Sequence, residues 1–152
     1  MGQESPAGKH FSREEMLVMY QVVAARRQNF DSMVWQVPAL SLTAQAFLLV
    51  IALGSGSGHL ARIAAGLLSA LTALMSVQLL LRQRLHEVAD AIWLNNFEGS
   101  RGWEPVHQRP AARVAAAGLR ARGLTGLPSH KLWIPGLVLF GATGLAAALA
   151  AL

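Results

Sequence analysis

Three long windows of this sequence carry almost no charge, and they limit the possible folds more than any other feature. Residues 33–53 and 132–152 contain no charged side chain, and residues 60–81 contain only Arg62. About 20 residues of apolar helix rise about 30 Å, which matches the hydrocarbon core of a bilayer. Only 14% of the chain is charged, against roughly 25% in soluble domains. The pattern predicts an all-α membrane protein with three transmembrane helices.

Residues 13–32, which precede the first span, have the pattern of an amphipathic helix. Ser12 and Glu15 have the spacing of a capping box, in which each side chain accepts a hydrogen bond from the other's backbone N–H. Arg27 interrupts an apolar stripe with a helical period. That stripe comprises Met16, Tyr20, Val23, Phe30, Val34 and Val37. We expect a flexible tail at residues 1–12, then a cytoplasmic helix that enters the membrane directly or through a kink at Pro38.

The two connections between the spans differ greatly in length and charge. Residues 54–59 read GSGSGH, which predicts a tight external turn and therefore a helical hairpin. Residues 82–131 hold eight of the 13 Lys and Arg residues. The helical period continues past residue 81, and Pro110 suits the first position of a further short helix. We expect a cytoplasmic stalk and basic linker over residues 82–131, with amphipathic helices, before the third span at residues 132–152.

The distribution of charge also predicts the orientation of the chain. Loops rich in Lys and Arg remain on the cytoplasmic side, so the N-terminus and residues 82–131 are expected inside and the C-terminus outside. Trp35 and Trp133 lie where spans meet the lipid–water interface. Arg outnumbers Lys by 11 to 2 in a chain rich in Ala, Gly and Leu, a bias common in GC-rich bacterial genomes. The expected location is a bacterial inner membrane.

Several classes of function lack the residues that they need. The chain has no cysteine, which excludes disulfides and thiolate chemistry, and it matches no metalloprotease, nucleotide-loop or serine-nucleophile motif. His86, Glu87 and Asp90 cluster on the stalk, but a metal site needs three or four convergent ligands. We interpret them as a solvated helical face and expect no cofactor, no metal and no enzymatic activity. The basic residues are not interleaved with exposed aromatic ones, so nucleic acid is not an expected partner.

Polar and small residues inside the spans are the first set of candidate site residues. Small residues let membrane helices approach closely, and hydroxyl groups hydrogen-bond between them. A buried amide in a span also needs a partner. On this basis the candidates for helix packing are Gln45, Ser69, Thr72, Ser76, Gly144 and Ala148. The same polar groups would line a water-filled pore if the chain formed an oligomer, and both interpretations remain open.

A second set of candidates precedes the third span. Juxtamembrane arginines attract anionic headgroups, each by about 1 kcal/mol near the surface. The residues concerned are Arg109, Arg113, Arg120 and Arg122. We expect them to contact lipid headgroups and to hold the orientation of the third span. Contact with a protein partner or a nucleotide signal is the alternative.

The layout of residues 12–98 resembles that of small bacterial membrane effectors of the SLATT type. The common features are an N-terminal amphipathic helix, a tight two-span hairpin and a helical stalk in the cytoplasm. This resemblance implies a hairpin that oligomerises and permeabilises the membrane after an upstream signal. The third span is additional to that pattern, and no functional residue is carried over.

These observations favour a function based on association. We expect a small multi-pass protein that acts as a scaffold or regulatory subunit of a membrane complex, with lipid and either its own copies or another membrane protein as partners. An oligomeric pore or membrane-perturbing effector is the alternative. A membrane-bound enzyme is the third possibility.

Overall fold

The computed structural model describes residues 11–108, 110–120 and 123–152, and the regular elements in these ranges are helical. Three helices are long and apolar enough to cross a membrane, so the predicted all-α fold class is confirmed. Most of the predicted tail, residues 1–10, lies outside the described residues. The elements are α1 (Arg13–Leu53), α2 (His59–Ser100), the short α3 (Pro110–Ala116), a 3₁₀ helix (Gly123–Gly126) and α4 (Ser129–Ala150).

Helix α1 joins the amphipathic segment and the first span without interruption. It begins with the capping box, in which Ser12 Oγ accepts from the backbone N–H of Glu15 at 3.1 Å and Glu15 Oε2 accepts from that of Ser12 at 2.7 Å. The helix then continues through Pro38. Its 41 residues correspond to about 62 Å, which is twice the thickness of a hydrocarbon core. About half of α1 therefore lies outside the bilayer.

Helices α1 and α2 form an antiparallel hairpin that keeps one register from the turn to the far end of the stalk. The turn occupies residues 54–58, because α2 begins at His59. The pairing therefore continues through the membrane and beyond it. Side-chain contacts mark it at Ser41 with Ser76, Met33 with Gln83, Arg27 with Glu87 and Tyr20 with Glu98.

Helix α4 packs into the membrane half of this hairpin at very short range. A Cβ atom added to Gly66 would lie 2.4 Å from the carbonyl oxygen of Gly144, and one added to Gly141 would lie 2.4 Å from the Cβ of Ala73. A Cβ on Gly144 would come within 2.7 Å of the Cβ of Ser69. Small residues thus bring the backbones together, as is usual between membrane helices.

Two features place the ends of the three-helix part. Trp35 and Trp133 meet edge to face, with ring centroids 6.2 Å apart, and indole rings favour the lipid–water interface. At the opposite end, Arg62 Nε donates to the carbonyl oxygen of Ala52 at 3.1 Å. This bond satisfies one of the carbonyl groups that the last turn of α1 leaves without a helical partner. The molecule is therefore a three-helix bundle between these ends and a two-helix stalk beyond Trp35.

Candidate functional site

Ion pairs between α1 and α2 hold the stalk together near the membrane. The buried carboxylate of Glu87 accepts from Arg27 Nε at 3.3 Å and pairs with Arg84 on its own helix. One turn further, Arg26 binds both carboxylate oxygens of Asp90, at 2.8 and 2.5 Å. This hydrogen bonding and the charge of Asp90 raise the pKa of Arg26 above its usual value. Two-point contact of this kind fixes orientation as well as distance.

The prediction of a solvated face at His86, Glu87 and Asp90 is wrong for both carboxylates, which are buried. The prediction considered α2 alone, whereas α1 supplies two arginines opposite these positions. His86 is exposed, with its ring stacked on Phe30 at 5.4 Å. Arg27 was the indication in the sequence of a buried ion pair, because a charged residue within an apolar stripe needs a partner on the helix that it faces.

A second buried network closes the far end of the stalk around Glu98. Tyr20 Oη donates to Glu98 Oε1 at 2.8 Å, and the backbone N–H of His107 donates to Oε2 at 3.1 Å. The Nδ1 atom of His107 lies 2.5 Å from Oε1. The rings of Phe97 and Trp103 lie 5.5 and 5.7 Å from that of Tyr20. The loop that follows α2 is thereby attached to both helices.

The pKa values of the phenol and the carboxylate in this network shift in opposite directions, although burial alone would raise both. Burial, the hydrogen bond to Glu98 and the negative charge of Glu98 raise the pKa of Tyr20 to about 12. Burial opposes ionisation of Glu98, but the hydrogen bonds from His107 and Tyr20 outweigh it and lower the pKa of Glu98. The network is therefore built for a charged Glu98 and a neutral Tyr20. No local sequence pattern indicates this network, because Tyr20 is 78 residues from Glu98 in the chain and His107 reaches Glu98 only through the fold of the loop after α2.

A cavity of about 1100 Å³ lies where the stalk meets the linker. Helices α1 and α2 form one wall, while α3 and the start of α4 form the other. Its arginines are Arg27, Arg84, Arg113 and Arg120, its carboxylates are Asp31 and Glu87, and its other lining residues include Trp35 and His130. Burial, with the positive charges of Arg84 and Lys131, lowers the pKa of His130. Four arginines against two carboxylates give the cavity an excess of positive charge.

Three polar residues of the spans, Gln45, Ser69 and Ser76, face the interior of the bundle, whereas Thr43 and Gln78 are exposed. The side chain of Gln45 is fully buried, and neither of its amide atoms has a hydrogen-bonding partner among the described residues. The same holds for Ser69 Oγ. By contrast, Ser76 Oγ lies 2.6 Å from both Ser41 Oγ and the carbonyl oxygen of Thr72. The contact between Ser41 and Ser76 thus joins α1 to α2 within the membrane, and the amide of Gln45 makes no such contact with the described residues.

The structure brings some of the predicted site residues together. Gly144 and Ala148 both lie against Gly66, and Gly144 also lies against Ser69. Arg113 and Arg120 line the cavity. Arg109 and Arg122 lie outside the described residues. Within the parts of the chain that the structure describes, no group of three or more His, Asp or Glu side chains is arranged to hold a metal ion.

In comparisons with known proteins, no family model, curated protein or solved structure matches this chain. Its function is therefore argued from the geometry of its own residues.

Proposed function

We propose that this protein acts by association, as a scaffold or regulatory subunit of a complex in a bacterial inner membrane. The observation that carries the proposal is an apolar surface on the stalk, well outside the bilayer. Val18 and Val22 lie one turn apart on α1, and each is 58% exposed. Val22 is 13 residues from Trp35 along the helix, or about 20 Å beyond the interface. Lipid does not cover an apolar surface at that distance.

The second helix of the stalk has exposed apolar side chains of its own. Ile92 and Trp93 are also exposed on the water-facing part of α2. Contiguous apolar patches in water usually mark a site of protein contact. The ion pairs of Arg26 with Asp90 and of Arg27 with Glu87 hold the two helices in one register. A partner would therefore meet a preformed surface, which lowers the entropic cost of binding.

Charged substitutions on the stalk test this proposal. In Val18→Asp combined with Val22→Asp, two carboxylates replace the apolar groups, and assembly should be lost while membrane insertion is retained. Assembly can be measured by counting photobleaching steps and co-purified chains in nanodiscs excised from native membranes. Gln21→Asp is the matched control, because Gln21 is exposed on the same turn of α1. Unchanged assembly in the double variant would contradict the proposal.

The proposed orientation has a separate test. With the N-terminus and stalk in the cytoplasm and the C-terminus outside, a reporter active only outside should be silent after Trp103 and active after Leu152. The reverse pattern would overturn the orientation. A reporter that is silent after both Trp103 and Leu152 would show that the third span does not cross the membrane.

A pore is the second candidate, and one observation favours it. Gln45 and Ser69 present polar atoms without a partner among the described residues, inside the bundle. A buried amide without a hydrogen bond is costly, and water entering an oligomer would supply one. Ion flux through proteoliposomes measures this directly. Flux that Gln45→Leu abolishes while assembly survives would favour the pore over the scaffold, and the absence of flux in the unmodified protein would exclude the pore.

A further inference from the structure

The large cavity at the base of the stalk lies at the depth of the lipid headgroups. Trp35 forms part of its wall, and the same ring contacts Trp133 at the cytoplasmic end of the three-helix bundle. Paired indole rings at this position mark the lipid–water interface. Ser129 and His130, at the start of α4, also line the cavity. A ligand held here would therefore be level with the phosphates of the surrounding bilayer.

The charges around the cavity are not balanced. Glu87 is already paired with Arg27 and Arg84, so that group of three has one positive charge in excess. On the opposite wall, Arg113 and Arg120 take part in no ion pair among the residues that the structure describes. Their guanidinium groups each carry several donors, in the fork geometry that suits phosphate. The wall formed by α3 and the linker is therefore the one suited to hold an anion.

The start of α4 adds donors of a second kind. The first backbone N–H groups of a helix have no partner within it, and they bind anions. Pro128 occupies the position before α4. Its carbonyl oxygen accepts from the N–H of Lys131 at 2.9 Å, and its ring has no polar atom that could accept from the N–H groups of Ser129 and His130. Ser129, the first residue of this 22-residue helix, lines the cavity together with the arginines.

Apart from the carboxylate of Asp31, much of the remaining lining is apolar, and the cavity is too large for an inorganic anion alone. Val34 and Trp35 lie on the hairpin side, and Val114, Leu119 and Leu127 lie on the linker side. The volume of about 1100 Å³ is at the upper limit for a site that encloses a drug-sized molecule, roughly 300–1,000 Å³. Charged donors beside apolar side chains on both walls match a molecule with a phosphate head and an apolar tail.

We infer that this cavity binds the phosphate group of an anionic phospholipid, with Arg113 and Arg120 as its principal ligands. The phosphate oxygens accept from the two guanidinium groups, and the glycerol and upper acyl carbons lie along Val34 and Trp35. A soluble phosphate ester would satisfy the same donors but not the apolar wall. The inference does not rest on the association function, because it concerns a different surface of the molecule.

Lipid retention measured on the full-length protein tests the site. The protein is purified in detergent, supplied with phosphatidylglycerol or phosphatidylcholine, and the bound lipid is counted by native mass spectrometry. We expect selective retention of phosphatidylglycerol. Arg113→Gln and Arg120→Gln should each weaken that retention by about fivefold, and together by about 25-fold, if each contact contributes about 1 kcal/mol.

The controls separate a built site from general attraction between opposite charges. Arg101→Gln removes a cytoplasmic arginine that contacts Met16 and Phe97 away from the cavity, and it should leave retention unchanged. Arg113→Lys with Arg120→Lys keeps the charge but not the fork geometry, so its retention should be intermediate. Equal losses in the Arg101 and Arg113 variants, equal retention of the two lipids, or full retention in the double Gln variant would each overturn the inference.

Competition identifies the source of the phosphate. Millimolar inorganic pyrophosphate should not displace bound phosphatidylglycerol, because it makes no contact with the apolar wall. Displacement at that concentration, together with direct pyrophosphate binding that Arg113→Gln weakens, would show that the ligand is a soluble phosphate and would overturn the lipid assignment.

Discussion

The three-helix part in the membrane and the two-helix stalk are held by different interactions. In the membrane, Gly66, Gly141 and Gly144 bring backbones so close that an added methyl group would overlap a neighbour. In the stalk, buried carboxylates on α2 contact donors from α1. The pairs are Arg27 with Glu87, Arg26 with Asp90 and Tyr20 with Glu98. The glycine contacts join α4 to α2, whereas the ion pairs join α1 to α2, so the means of helix association differs on the two sides of Trp35.

The two solvents explain this change. Lipid tails are as apolar as the helices, so burying apolar side chains gives no hydrophobic gain, and close packing provides the attraction. In water, the burial of apolar side chains is favourable, but it does not specify the register of two uniform helices. Buried charge pairs can specify it, because a shifted register would leave a charge without a partner at a cost of about 3–5 kcal/mol. The glycines therefore set the distance between α2 and α4, and the ion pairs set the register of α1 against α2.

The largest expected effect is at the closest backbone approach. Gly66→Leu places a side chain where even a Cβ atom would lie 2.4 Å from the Gly144 carbonyl oxygen. The added side chain should push α4 away from the hairpin and lower the free energy of unfolding by about 3 kcal/mol, the upper part of the usual range for overpacking. Unfolding in mixed micelles, followed by circular dichroism, measures this cost. Gly136→Leu is the control, because a Cβ at Gly136 meets nothing within 4 Å. Equal stability of the two variants would contradict the packing account.

The next effect concerns the carboxylate at the far end of the stalk. Glu98→Gln replaces one acceptor oxygen by an N–H group, which leaves Tyr20 or the backbone N–H of His107 without its acceptor. The expected loss is about 2 kcal/mol, as for other buried groups left unpaired. Glu104→Gln, at an exposed position, should change little. The same micelle unfolding experiment decides, and similar losses in both variants would argue against a specific network.

The low pKa of Glu98 adds a pH dependence to this effect. A carboxyl group whose pKa is lower in the folded state stabilises the fold above its unfolded value, about 4.3. That stability is lost as the pH falls through the folded value. Unmodified protein should therefore lose stability on acidification below about pH 4.3, and Glu98→Gln should lose less. Parallel pH profiles for the two proteins would contradict the role assigned to Glu98.

Tyr20 should show the opposite pH dependence and a smaller effect. Its pKa of about 12 in the fold lies above the ordinary value of about 10, so its contribution is complete below pH 10 and declines as the pH rises toward 12. Tyr20→Phe should cost about 1.5 kcal/mol at neutral pH, as for a hydrogen bond to a charged group. The variant should also lack the alkaline decline in stability. An identical decline in both proteins would assign it to another group.

The sequence alone predicts the membrane part better than the stalk. Charge-free windows and the Ser12–Glu15 spacing are local features, and they are sufficient for three apolar helices and the start of α1. Contacts between helices depend on rotation and register, which no local pattern specifies. Arg27 was the one local indication of a buried ion pair. His107 gave none, because its position depends on how the loop after α2 folds back.

The smallest expected effect on stability is at Gln45. A span amide bonded to another helix would make Gln45→Leu destabilising, whereas the structure predicts no loss of stability. If the amide bonded to another helix, Gln45→Leu would cost about 0.6 kcal/mol, the average for such bonds in a membrane protein. Since Gln45 has no such partner among the described residues, the substitution should be neutral or stabilising. Ser41→Ala, which removes the contact with Ser76, should cost about 0.6 kcal/mol. A loss above about 1.5 kcal/mol for Gln45→Leu would show that the amide has a partner.

Two double-mutant cycles, measured by the same unfolding method, test the central comparison most directly. One cycle combines Arg27→Leu with Glu87→Leu in the stalk, and the other combines Ser41→Ala with Ser76→Ala in the membrane. The account predicts a coupling energy above about 1.5 kcal/mol in the stalk, because Glu87→Leu leaves Arg27 without a carboxylate and Arg27→Leu leaves the buried Glu87 with Arg84 alone, whereas the double variant removes both groups. In the membrane it predicts about 0.6 kcal/mol. Additive stalk substitutions, or equal coupling energies in the two cycles, would contradict it.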